Sequence, residues 1–301
     1  MGPLFGILAA FTWGGGDFVG GLASRRLPTL LVVLLSQAAA LALIIPVAVA
    51  GGQPLPGATV LLQTAVAGLA GGAGIVSLYH GFAHGRISIV ASIAGTLAAL
   101  IPVGATIVGG EIPSPLRLVG FAGAIVAIVI VSMSGDGDAP RGTARAGGAA
   151  FGFAAGCAFA TFSLIFSGVE STATVWLLAV LRIASVSALT AIVLGFALAR
   201  RSAPGLEPIR PGAIPRDLAG RIRLALILVA AGSGDTLGNL FFFLSANESG
   251  VAVAAVFTSI APVTTVLFAA LVLGERVGPR QALGIALAAA ATVAIALGGV
   301  V

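Results

Sequence analysis

Apolar residues run through this chain in about ten blocks of roughly 20 residues, the length an α-helix needs to cross the hydrocarbon core of a bilayer. Charge, proline and glycine gather between the blocks. The pattern predicts helices over 3–22, 29–50, 60–82, 87–108, 116–134, 147–167, 174–199, 222–245, 251–273 and 279–299. The first block is too rich in Gly, Trp and Asp for a cleaved signal peptide, and no small-residue cleavage site precedes its Arg25-Arg26 flank. It is expected to stay as a helix.

The string Gly-Glu-Xaa-Xaa-Xaa-Pro occurs twice, from Gly110-Glu111 to Pro115 and from Gly274-Glu275 to Pro279, at a shift of 164 residues. The same shift lays Gly68 on Gly232, Gly74 on Gly238, Gly120 on Gly284, Ala122 on Ala286 and Ala124 on Ala288 without a gap. This is an internal duplication. A weaker echo at a shift of 146 lays Gly2 on Gly148, Gly6 on Gly152 and Phe18 on Leu164. Five expected crossings separate the two Gly-Glu strings, and an odd number puts the copies on opposite sides. The chain therefore reads as ten transmembrane helices in two inverted five-helix repeats, 1–134 and 147–301, joined by a polar linker at 135–146. Inverted halves are the signature of secondary transporters, because two similar, oppositely oriented units can exchange conformations around a central site.

Composition agrees with this class. Of 301 residues, 58% are hydrophobic and 8% charged, with a mean hydropathy of +1.15, which no water-soluble domain of this size tolerates on its surface. The expected place is the cell (inner) membrane, with the lipid bilayer as partner. All 15 basic residues are Arg, confined largely to short loops, and they imply no nucleic-acid face. Arg200, Arg201, Arg210, Arg216, Arg221 and Arg223 cluster among prolines, as in a loop beside anionic headgroups. By loop, 13 arginines follow the odd-numbered helices and only Arg117 follows an even one. The positive-inside rule then puts the odd loops in the cytoplasm and both termini outside. The single Cys157 excludes an intrachain disulfide and a cysteine metal site. No glycine-rich phosphate loop followed by Lys is present, so transport is expected to run on gradients.

Small residues recur four apart at Gly2/Gly6, Gly16/Gly20, Gly68/Gly72, Gly148/Gly152/Gly156 and Gly234/Gly238, a spacing that lets helix backbones approach closely in lipid. Trp13-Gly14 in the first block, Pro262 halfway along the ninth, Gly274-Glu275 and Gly284 resemble the EamA-type proteins of the drug/metabolite transporter superfamily, over nearly the whole chain. Arg182 is similar to an arginine often seen at its place. Ser36 and Ala98 stand where the second half has Arg182 and Pro262, so these two features carry over to the second half alone. The resemblance implies a ten-helix basket that moves small metabolites through a cavity lined chiefly by the first, third, fourth, sixth, eighth and ninth helices. Members handle amino acids, nucleotide-linked sugars and other solutes. Relatives are usually drawn with both termini cytoplasmic, against the arginine bias.

A charge in the apolar layer costs about 2.5 to 3.5 kcal/mol on insertion scales, so each one demands a partner, a cavity or a role. Asp17 lies one turn after Trp13 on the same helix face, Asp235 lies one turn before Asn239, and Phe242 or Phe243 continues that face. Arg182 lies about a third of the way along the seventh helix. In one reading the aspartates line the cavity and bind a substrate ammonium or a coupling proton; in the other, Arg182 pairs with one of them and fixes packing. The expected cavity residues are Trp13, Asp17, Tyr79, Asp235, Asn239, Phe242 and Ser259, with Asp17, Asp235 and Arg182 as coupling or ion-pair groups. No catalytic residue, metal ligand or cofactor is assigned.

His80 and His84 stand four apart but lack a further ligand, so they read as caps at the interface with Tyr79 as an aromatic anchor. Tyr79, lying deeper, could instead stack on a substrate ring. Glu111 and Glu275, near Arg117, Arg276 and Arg280, read as locally paired turn residues. The rival from another class is an aspartyl intramembrane protease, since Gly14-Gly15-Gly16-Asp17 and Gly232-Ser233-Gly234-Asp235 both carry Gly-Xaa-Gly-Asp. No Pro-Ala-Leu element or Tyr-Asp partner supports it. The expectation is a gradient-driven, alternating-access carrier, a monomer or weak homodimer, exporting amino acids or related metabolites. Multidrug or cation efflux, or metabolite uptake, is the alternative.

Overall fold

The computed structural model describes residues 1–110, 114–133, 144–166, 169, 173–199, 205–209, 211–249, 254, 257–258, 260–275 and 277–298. Among the described residues the fold is helical, with ten helices of known extent: α1 (Gly2–Ser24), α2 (Thr29–Ala50), α3 (Ala58–His84), α4 (Ile87–Val108), α5 (Pro115–Met133), α6 (Ala144–Phe166), α7 (Thr174–Leu198), α8 (Leu218–Ser249), α9 (Ala261–Leu273) and α10 (Pro279–Leu297). Five of them are long and apolar enough to cross a membrane: α2, α3, α6, α7 and α8. Shorter apolar stretches lie in α4, α5, α9 and α10.

Each Gly-Glu string lies between two helices. Gly110 and Gly274 both take the left-handed conformation, at φ of 89° and 63°, which glycine adopts without the Cβ penalty other residues meet. Pro115 and Pro279 then open α5 and α10, where a missing N–H costs nothing. After Gly274 the turn is tight enough that the Glu275 N–H reaches back to the Ala269 carbonyl at 3.3 Å.

Three described boundaries differ from the sequence expectation by three residues or more. α8 starts at Leu218, four residues early, because the Asp217 carboxylate accepts from the Gly220 N–H at 2.9 Å and caps the helix. It also continues to Ser249, where Ser245 donates to the Gly2 carbonyl at 2.7 Å and Glu248 meets the Met1 amine at 3.3 Å. α6 starts at Ala144, inside the expected linker. Most of 250–259, the start of the expected ninth segment, lies outside the described residues, as does Glu111.

Helices pack across the chain's midpoint more than within each half. α1 lies on α8, α3 on α6, α2 on α7, α4 on α9 and α5 on α10. The contacts come in pairs that exchange under the two sequence shifts. Gly74 receives the Phe159 ring, and Gly238 that of its counterpart Trp13; Gly68 abuts the Leu181 backbone, and Gly232 that of Ser36, one residue past Leu181's counterpart Leu35. Tyr79 fills the space beside Gly20, and its counterpart Phe243 packs on Phe166 with centroids 5.0 Å apart. Lipid tails give apolar helices no reason to associate, so close contact at small residues supplies much of the packing energy. The largest buried cluster, including Phe18, Val33, Tyr79, Phe82 and Val90, centres on the first four helices and takes in Ala155, Leu189, Leu228 and Ala269 from the second half.

Candidate functional site

The site begins at the crossing of α1 and α8. A Cβ added at Gly234 would stand 2.7 Å from the Thr12 carbonyl oxygen and 2.8 Å from the Gly16 Cα, so only glycine permits this approach. Asp17 and Asp235 are the next residues along each helix, and the crossing delivers both to one level of the bundle. The glycines before them have separate neighbours as well. Gly232 meets Ser36 of α2, and Gly14 meets Thr264 and the Ala261 carbonyl of α9. The paired Gly-Xaa-Gly-Asp strings are therefore explained by backbone packing.

Asp235 is bound on both oxygens. Arg182 Nη1 donates to Oδ2 at 2.5 Å, Gln37 Nε2 donates to the same oxygen at 3.1 Å, and Asn239 Nδ2 reaches Oδ1 at 3.4 Å. Arg182 Nη1 also donates to Gln37 Oε1 at 2.6 Å, closing a triangle among α2, α7 and α8. Arg182 Nε donates to Thr236 Oγ1 at 3.1 Å, and Ser185 Oγ to Gln37 Oε1 at 3.4 Å. The Arg182 side chain is only 5% exposed and that of Asp235 14%. Arg182 Nη2 is buried without a hydrogen-bond partner among the described residues.

Asp17 is different. It is half-buried and feels the charge of Asp235, yet among the described residues no hydrogen bond or ion pair reaches it. Trp13, one turn earlier, faces Phe242 with ring centroids 6.0 Å apart, and Gly238 leaves the room its indole needs. Asn239 is buried against Asp235, and Phe242 is half-buried. Ser259 lies outside the described residues.

Tyr79 is not an interfacial anchor. It is 1% exposed, its ring stands against Gly20, and its hydroxyl donates to the Gly16 carbonyl at 3.4 Å. Gly20 and Gly21 on α1 leave the room that Tyr79 and Phe82 of α3 fill, placing the hydroxyl beside the Gly16-Asp17 peptide. His80 and His84 have ring centroids 4.2 Å apart, with His80 edge-on to Phe151 at 4.4 Å and His84 Nδ1 2.9 Å from the His80 carbonyl. Glu275 reaches across the bundle. Its Oε1 accepts from Arg86 Nε at 3.2 Å and from Ser88 Oγ at 2.6 Å, where the sequence suggested arginines of its own loop.

Sequence reasoning missed Gln37, the residue joining Arg182 to Asp235. Its signal was present: a carboxamide in the middle of the most apolar span needs a partner as an ionised group does. Thr236 and Ser185 carried no such signal, since hydroxyls in apolar helices ordinarily bond their own backbone.

A model of the EamA-like transporter family matches residues 1–133 and 147–297. A solved structure described only as "Crystal structure of protein" is similar over 98% of this chain and 96% of its own, with a TM-score of 0.59 at 16% identity. At that identity the likeness shows the fold alone. No curated protein matches the chain.

Proposed function

Because the chain belongs to the EamA-like transporter family of membrane transporters, we propose that it is a gradient-driven, alternating-access carrier of small metabolites. Its ten helices cross the membrane of the cell as two oppositely oriented halves, 1–134 and 147–301, that rock about a site near the midplane. The exchanged contact pairs support this symmetry.

One observation carries the assignment of the site: among the described residues Asp17 has no hydrogen-bond or ion-pair partner, whereas Asp235 has three. A carboxylate held in the apolar layer without a counter-ion is matched to a cation that arrives and leaves, either a substrate ammonium or a coupling proton. Arg182, Gln37 and Asp235 form the fixed framework beside it. Trp13 and Phe242 give the cavity an apolar wall next to few polar groups, the usual lining of a small-molecule site. Amino acids or related metabolites fit that combination, and export is the direction the family resemblance favours. Lipophilic cations are the second reading, favoured by the same lone carboxylate. A protease dyad fits less well, because Asp235 is held by Arg182 and is not free to share a proton with Asp17 across a water.

Purified protein in proteoliposomes, screened over amino acids, nucleosides and lipophilic cations with and without a pH gradient, tests the proposal. Saturable, gradient-dependent movement of an amine-bearing solute is expected. Absence of movement for every class would remove it.

A further inference from the structure

Glu275 joins the two halves at one face of the bundle, and the atoms it meets are unusual for a surface turn. Its side chain is 11% exposed, Ser88 is fully buried, and Gln281, which donates to Ser88 Oγ, is 1% exposed. Arg86 and Ser88 come from the start of α4, Glu275 and Gln281 from the α9–α10 turn and α10. The Gly274 turn and the Ala269 carbonyl fix the backbone of Glu275, so its reach toward α4 is built into the loop. Glu275 Oε2 and Gln281 Oε1 are both buried without a hydrogen-bond partner among the described residues. Alternating access opens each face in turn, so a contact that ties α4 to the α9–α10 turn at one face must part whenever that face opens.

The sequence does not repeat the residues of this arrangement in the other half. Under the shift of 164, Glu275 falls on Glu111, but Arg86 falls on Gly250, Ser88 on Ala252, and Gln281 on Arg117. Neither Gly250 nor Ala252 has a side-chain donor. Of the four positions, only the glutamate recurs.

We infer that Arg86, Ser88, Glu275 and Gln281 form a one-sided latch, which holds the carrier at rest with the arginine-rich face closed. Glu275 is a gating residue here, remote from the solute, and it biases an otherwise symmetric exchange between halves. The latch rests on the alternating-access reading above, since a bias on one face has meaning only where two faces open in turn. Removing it shifts the balance between the two states.

The test uses the full chain in proteoliposomes, with Cys157→Ser as background and Ala91→Cys as reporter. Ala91 is 5% exposed, about one turn beyond Ser88, in a cluster with Phe18 and Ala269. A membrane-impermeant maleimide is applied to the arginine-rich face, and the labelling rate is measured without solute. Glu275→Gln and Arg86→Gln are each expected to raise the rate about tenfold, equivalent to roughly 1.4 kcal/mol in a two-state balance. Glu111→Gln is expected to leave it unchanged, and the charge swap Arg86→Glu with Glu275→Arg to restore part of the protection. Unchanged labelling in both single variants would overturn the latch, as would an equal effect of Glu111→Gln or a charge swap labelled as fast as the singles. Failure of the transport proposal would appear separately, as absence of solute movement by the unmodified protein.

Discussion

Arg182 holds acceptors on two helices with a single nitrogen, and the charge it neutralises is that of Asp235 alone. Removing one member of a buried pair leaves the other uncompensated, which costs about 3 to 5 kcal/mol. Arg182→Met should lower the unfolding temperature in detergent markedly, and adding Asp235→Leu should recover most of the loss. Asp17→Asn breaks no bond and should change stability by about 0.5 kcal/mol or less. Equal thermal losses for Arg182→Met and Asp17→Asn would show that Asp17 is part of the framework. The three ionisable residues were legible in the sequence as expensive groups in apolar spans, but which aspartate Arg182 takes was not. That choice depends on Gln37 and Thr236, brought in by α2 and α8 only when Gly232 lets those helices touch.

At the scale of helices and turns, the apolar blocks foretold nearly every element, because a bilayer leaves a segment of that length few alternatives to a helix. Caps and crossings were harder to see. Asp217 starts α8 through its bond to Gly220, and nothing in the Pro- and Arg-rich loop around it singles it out as a cap. The glycine pattern announced close packing without naming partners, since a missing side chain says nothing about what fills the space. Gly234→Leu should separate α1 from α8 and cost about 1 to 3 kcal/mol, the usual range for overpacking. Gly195→Ala, with nothing within 4 Å of the added Cβ, should be silent in the same thermal measurement. The loop before α8 makes a separate prediction. Burial pushes the Glu207 carboxyl up, but N–H groups of Gly205 and Glu207 and the nearby His80 and His84 outweigh it, leaving the group below its ordinary value. A lowered carboxyl stabilises the fold above its unfolded pKa, and the contribution is lost as pH falls through the folded value. Hydrogen exchange at the Gly205 amide, which donates to Glu207 at 2.9 Å, should be protected near neutrality beyond the intrinsic pH effect. Protection that persists below that folded pKa would contradict this.

For the molecule as a whole, symmetry and its violation matter together. Paired contacts such as Gly74 with Phe159 and Gly238 with Trp13 are the kind of two-half symmetry that the proposed alternating access requires. The Glu275 cluster and Asp17 are among the features the duplication does not repeat: at a shift of 146, Asp17 falls on Ser163. The duplicated Gly-Glu string was visible from the sequence as a turn, but its long-range partners Arg86 and Ser88 were not, because they lie 189 and 187 residues away. The most direct measurement is counterflow of a labelled substrate in proteoliposomes, comparing the unmodified protein with Asp17→Asn at matched unfolding temperature. A carrier with its central site at Asp17 should show exchange that saturates and responds to pH, and the asparagine variant should lose it. Unchanged exchange and an unchanged pH profile in Asp17→Asn would contradict the assignment.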